Sequence, residues 1–184
     1  MKKFMKIGAL SLTLVASLLL LSNVTKADNG ELSLEIQKGT GSCVYGTSID
    51  LGIQTASYNA LTFSGVFPQA FRCEDNNGTD DSWVLETTVG TLTNSLNNLY
   101  NIPATSVEMK SDASTVVAGD CDIIAGTTSY AAIDSVQPIL GKNNDLGAIC
   151  KIEAQNVWLK VVTAQNQPVG VYTGELTVNV PSFL

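Results

Sequence analysis

Val171-Tyr172-Thr173-Gly174-Glu175-Leu176-Thr177-Val178-Asn179-Val180 is the stretch that decides the fold class. Tyr172, Gly174, Leu176, Val178 and Val180 fall on one face, and Val171, Thr173, Glu175, Thr177 and Asn179 on the other. A period of two is the signature of a half-buried strand, because successive side chains point to opposite faces of a sheet. Gln167-Pro168-Val169-Gly170 just before it has turn composition. Working outward, Val157 to Val162, Ala148 to Ala154, Thr105 to Lys110, Ser82 to Thr87, Ser48 to Ile53 and Glu31 to Gln37 read as further strands. Leu61 to Cys73 is apolar and aromatic, with Pro68 interrupting it or marking an edge. Asp75-Asn76-Asn77-Gly78 predicts a hairpin turn with 82–87 as the returning strand. Gly141-Lys142-Asn143-Asn144-Asp145 predicts another turn. Thr115 to Ile124 and Tyr130 to Leu140 are apolar but weakly patterned. Residues 93–100 read as a helical turn or two, or as a polar loop carrying Leu96, Leu99 and Tyr100 inward. Seven to ten short strands punctuated by turns predict an all-β, antiparallel Ig-like or pilin-like β-sandwich.

The first residues have a different texture. Lys2, Lys3 and Lys6 precede Ile7 to Leu21, an apolar run of 15 residues, and Thr25-Lys26-Ala27 offers small residues before Asp28. This is the layout of a signal peptide over 1–27, a signal-peptide helix ahead of a single β-sandwich domain over 28–184. The run is short of the roughly 20 residues a membrane span needs, so no stable transmembrane anchor is expected after cleavage. Loss of 27 residues, four of them lysine and none acidic, leaves 157 residues with 6 basic and 17 acidic side chains, a charge of −11.

Composition removes several function classes. The chain has no histidine, which excludes Ser-His-Asp and Cys-His nucleophile systems and histidine metal sites. The acidic balance argues against nucleic acid, which needs a basic footprint. Cys43, Cys73, Cys121 and Cys150 all lie in the exported part. An even count there suggests disulfides and a secreted or cell-surface location. Three connectivities are possible; the favoured one, Cys43–Cys73 with Cys121–Cys150, encloses 29 and 28 residues. Each loop would restrict the unfolded chain by about 3–4 kcal/mol. The spacings hold no C-x-x-C pair, so zinc is not expected, and no metal or cofactor is assigned.

Glu74-Asp75-Asn76-Asn77-Gly78-Thr79-Asp80-Asp81 is the densest polar run; it reads as a calcium loop or as a solubilising turn, and its spacing is not that of an EF-hand. Asn77-Gly78-Thr79 is also a formal glycosylation sequon. Trp83 and Trp158, the two tryptophans, read either as a sugar-stacking platform or as sandwich core beside a disulfide.

Gly30-Glu31-Leu32, then Phe71-Arg72-Cys73-Glu74-Asp75-Asn76-Asn77-Gly78-Thr79 leading into Trp83-Val84-Leu85, then Gly170-Val171-Tyr172 through to Val180-Pro181, form a scattered pattern. It resembles the WxL-domain cell-surface proteins of Gram-positive bacteria. Val178 stands where that pattern has its second Trp, Val180 replaces the following Leu, and the disulfides are extra. The resemblance implies a non-enzymatic module that attaches non-covalently to the cell wall or peptidoglycan. Trp83, Leu85, Trp158 and Tyr172 are the candidate binding residues. Cys43, Ile49-Asp50-Leu51-Gly52 and Phe71-Arg72-Cys73 are similar, in turn, to the opening of spore-coat-U and pilin-like exported sandwiches. That likeness implies an adhesive or fibre subunit that assembles with copies of itself by lending an N-terminal strand. Leu32-Leu34-Ile36 is the candidate, unless it serves as the domain's own first strand.

Overall fold

A computed structural model describes residues 34–37, 39–78, 81–143 and 149–183. The expected signal peptide, and Leu32 of the expected first strand, lie outside these residues. The fold belongs to the compact unit Gln37–Leu184.

Fifteen short strands are present among the described residues. They are β1 (Ser42–Val44), β2 (Thr62–Val66), β3 (Phe71–Asp75), β4 (Trp83–Val89), β5 (Leu92–Asn94), β6 (Asn101–Ile102), β7 (Val107–Ser111) and β8 (Thr115–Gly119). There follow β9 (Ile123–Ala125), β10 (Ala131–Ala132), β11 (Gln137–Lys142), β12 (Cys150–Ala154), β13 (Val157–Val162), β14 (Tyr172–Thr173) and β15 (Leu176–Asn179). Pairing is antiparallel throughout, in sheets ordered β1-β3-β12-β8, β10-β7-β13-β2 and β15-β4-β11-β9, with β14-β5-β6 as a small fourth. The protein is an all-β, antiparallel sandwich.

Alternation explains what each strand buries. Phe71, Cys73 and Asp75 of β3 face inward, as do Cys150, Ile152 and Ala154 of β12. Trp83, Leu85, Thr87 and Val89 of β4 meet them from the other side. β11 lies against both β3 and β12, so the first and third sheets pack face to face. β11 is buried at four consecutive positions, Ile139 to Lys142, and a register shift between Pro138 and Leu140 interrupts its strict alternation there. Full burial of Leu85, Ile139 or Ile152 is each worth about 1.5–3 kcal/mol. The second sheet is joined to the third at Ile133, which accepts from the Val89 N–H (2.9 Å) and donates to the Val107 carbonyl (3.1 Å).

Both favoured disulfides are present. Cys43–Cys73 links directly opposed residues of β1 and β3, with Cα atoms 4.1 Å apart. Cys121–Cys150 ties the β8–β9 connection to the start of β12. Two bridges and no free cysteine suit an oxidising compartment.

Five local expectations need correction. The turn at 75–78 is not a hairpin: β3 pairs with β1 and β12, while β4 pairs with β11 and β15, so the chain crosses between sheets there. Residues 48–53 form no strand, and Ile53 is fully exposed; Ile49 and Leu51 pack instead beside Gly65, where a β-carbon would crowd them. Leu96, Leu99 and Tyr100 face out rather than in. Gly141 and Lys142 continue β11 instead of turning. Residues 34–37 carry no strand, with Leu34 and Ile36 exposed. The closing stretch splits at Gly174-Glu175 into β14 and β15; of the five residues expected on one face, Tyr172, Leu176 and Val178 pack against the core, whereas Gly174 and Val180 are exposed.

Candidate functional site

The four candidate residues separate into three environments. Trp83 and Leu85 share the inner face of β4 and are buried, Leu85 completely. The ring of Phe183 packs edge-on against the Trp83 indole, centroids 5.4 Å apart. Neither side chain offers a surface to a polymer, because two residues apart on a strand means the same face, and here that face is the core. Tyr172 is half-buried against the core; its hydroxyl donates to the Pro168 carbonyl (2.7 Å) and accepts from Gln167 Nε2 (2.9 Å). Its role is to fix the turn that precedes it. Trp158 alone stands on an outer face.

That outer face is built by register. Val157, Leu159 and Val161 of β13 point inward, which sends Trp158 and Lys160 outward. Trp158 lies between Val66 of β2 and Lys110 of β7; Lys160, one row along, lies between Ser64 and Glu108. Tyr130, just before β10, covers the two lysines. The Lys160 Nζ sits 4.5 Å and the Lys110 Nζ 5.1 Å from the Tyr130 ring centre, and Lys110 is also 5.5 Å from the Trp158 ring. Lys160 additionally pairs with Glu108. Each cation–π contact is worth about 0.5–1 kcal/mol at an exposed site.

This patch is unusual for its charge. Arg72 pairs with Glu153 (3.7 Å), Lys151 with Glu74 (3.1 Å) and Lys142 with Asp75 (3.0 Å). Among the described residues Lys110 has no carboxylate partner; its neighbours are two aromatic rings. A chain dominated by acids thus presents two lysines and two aromatics together on one sheet face. Sequence reasoning named Trp158 and missed Tyr130, Lys110, Lys160 and Glu108. The signal was present in the alternation of Val107-Glu108-Met109-Lys110-Ser111 against Val157-Trp158-Leu159-Lys160-Val161, but only the pairing of β7 with β13 brings the two sets together.

A second polar cluster is interior. Asp75, at the inward end of β3, accepts from the Lys142 ammonium (3.0 Å) and the Trp83 indole N–H (3.0 Å) on Oδ2, and from the Asn77 N–H (2.9 Å) on Oδ1. Side-chain exposure is 0% for Lys142 and 2% for Asp75. Burial pushes the Asp75 carboxyl up, but the Asn77 N–H, Lys142 and Trp83 together outweigh it and hold the group below the ordinary carboxylate value. Asp75 therefore serves a lysine inside the core rather than a calcium ion in a loop. Of the other residues in that run, Thr79 and Asp80 lie outside the described set. Among the described residues no three acids or cysteines converge as metal ligands, and no helix is long and apolar enough to cross a membrane.

No family model matches the chain, and no curated protein matches it at a significant level.

Proposed function

We propose that this chain is a non-enzymatic, exported surface module that docks a wall or envelope polymer on the outer face of the β10-β7-β13-β2 sheet. The observation that carries this reading is the platform of Trp158 and Tyr130 with Lys110 and Lys160 between and beside their rings. Aromatic faces offer flat apolar surface to a sugar ring, and lysines attract the carboxylates or phosphates of an anionic polymer. The remaining acidic surface repels such a polymer, so contact would be confined to this face. The WxL likeness supports the same class of role, with the platform moved from Trp83 and Leu85 to Trp158. The test is sedimentation of purified protein with isolated cell walls. Wild type should pellet, and Trp158→Ala should lose most of that binding while remaining folded. A wild type left in the supernatant ends the reading.

One observation favours a second reading, a subunit that self-assembles by strand exchange. Residues 34–37 lie outside any strand with Leu34 and Ile36 exposed, and β8 is an edge strand exposed at all five positions. An unpaired apolar segment and an uncharged open edge are complementary in principle. Light scattering decides: deletion of 28–38 should turn multimers into folded monomers, and a monomeric full chain contradicts it.

A further inference from the structure

Lys142 and Asp75 call for an explanation that the surface function does not supply. Lysine is almost never fully buried, and a buried ion pair is often no better for stability than apolar residues of the same volume. Here the pair sits in the core between two packed sheets, with Lys142 on β11 and Asp75 on β3. Its atoms are arranged as reactants. The Lys142 Nζ lies 3.0 Å from Asp75 Oδ2, which holds the amine beside the carboxyl group it would attack. Each carboxyl oxygen carries a fixed donor, the Asn77 N–H on Oδ1 and the Trp83 Nε1–H on Oδ2.

We propose that Lys142 and Asp75 join through an intramolecular amide, Nζ to Cγ, which staples the two sheets covalently. The charged pair is the precursor. Transfer of a proton from Nζ to Oδ2 along their hydrogen bond gives an amine and a carboxylic acid, and in an apolar interior this exchanges two buried charges for none. The nitrogen lone pair then attacks Cγ. Negative charge gathers on Oδ1, where the Asn77 N–H is already in place to hold it. A second nitrogen proton passes to Oδ2, the Cγ–Oδ2 bond breaks, and one water leaves. An ammonium and a carboxylate become an amide and water, so no oxidant, reductant or co-reactant is needed. The fixed geometry supplies the effective concentration, and the dry core disfavours hydrolysis in return.

The experiment is intact-mass spectrometry of the purified protein after reduction and unfolding, each sample compared with the mass of its own sequence. Wild type is expected to be lighter by one water. Lys142→Arg, whose guanidinium is not a competent nucleophile, is expected at full mass. Asp75→Asn is expected to lose one ammonia instead. Wild type at full mass overturns the proposal. So does a loss that persists in Lys142→Arg, since that would be a succinimide in the 75–78 turn. Should Lys142→Arg fail to fold, fragmentation of wild type decides, by showing or failing to show a branched peptide joining residues 75 and 142.

Discussion

The two tryptophans have similar chemical neighbours and different burial. Trp83 lies beside Lys142 and Asp75; Trp158 lies beside Lys110, one row from Lys160 and Glu108. Each therefore has a lysine and a carboxylate in its neighbourhood. The first group is sealed between sheets, where every polar atom must be answered by another protein atom. The second lies on the outer side of its sheet, where Trp158, Tyr130, Lys110 and Lys160 are each half-buried and keep part of their surface in solvent. Burial, not residue type, separates the core tryptophan from the one proposed to bind.

The sharpest way to break this comparison is to empty the interior group. Asp75→Ala removes the carboxylate 3.0 Å from the buried Lys142 ammonium, and should cost about 3–5 kcal/mol in denaturant unfolding. In molecules whose Asp75 carboxylate is free, Trp83→Phe keeps a ring in the core but removes the N–H aimed at Asp75 Oδ2, and should cost about 1–3 kcal/mol. If Trp83→Phe is silent, the indole hydrogen bond is not part of the core's support. Acid sharpens the same point. The folded Asp75 carboxyl is held below its ordinary value, so its contribution is fully present above the unfolded pKa of about 3.9 and is lost as pH falls through the folded one. Molecules with a free Asp75 carboxylate should therefore unfold more readily below about pH 4, whereas molecules linked by the amide lack this titration. Trp158→Ala should have the smallest effect on stability, within about 1 kcal/mol, the worth of the contacts with Lys110. A larger loss would make Trp158 a packing residue like Trp83.

Much of the sandwich was legible in local pattern. Residues 157–162, 82–87 and 171–180 were legible as strands, the last of them broken at Gly174-Glu175, because a half-buried sheet imposes a period of two. Both disulfides were legible from compartment and spacing. Pairing was not. Asn77-Gly78 has hairpin chemistry, yet Trp83 returns in the facing sheet, and nothing local distinguishes a hairpin from a crossing. Lys142 has the local surroundings of a turn, with Gly, Asn and Asp about it. Only its place on a central strand, opposite Trp83 and next to Asp75, makes it a core residue. Ile49, Leu51 and Ile53 alternate like a strand but find no partner edge, and alternation without a partner yields a loop. The platform was half legible for the same reason: Trp158 stood out by type, whereas Tyr130 and Lys110 join it through register.

The most direct test of the account is sedimentation with isolated walls of three proteins in parallel: wild type, Trp158→Ala and Lys110→Gln. The account predicts that wild type pellets, that Lys110→Gln binds more weakly and with less sensitivity to salt, and that Trp158→Ala stays in solution with its unfolding curve nearly unchanged. Equal pelleting of all three, or none at all by the wild type, would contradict it.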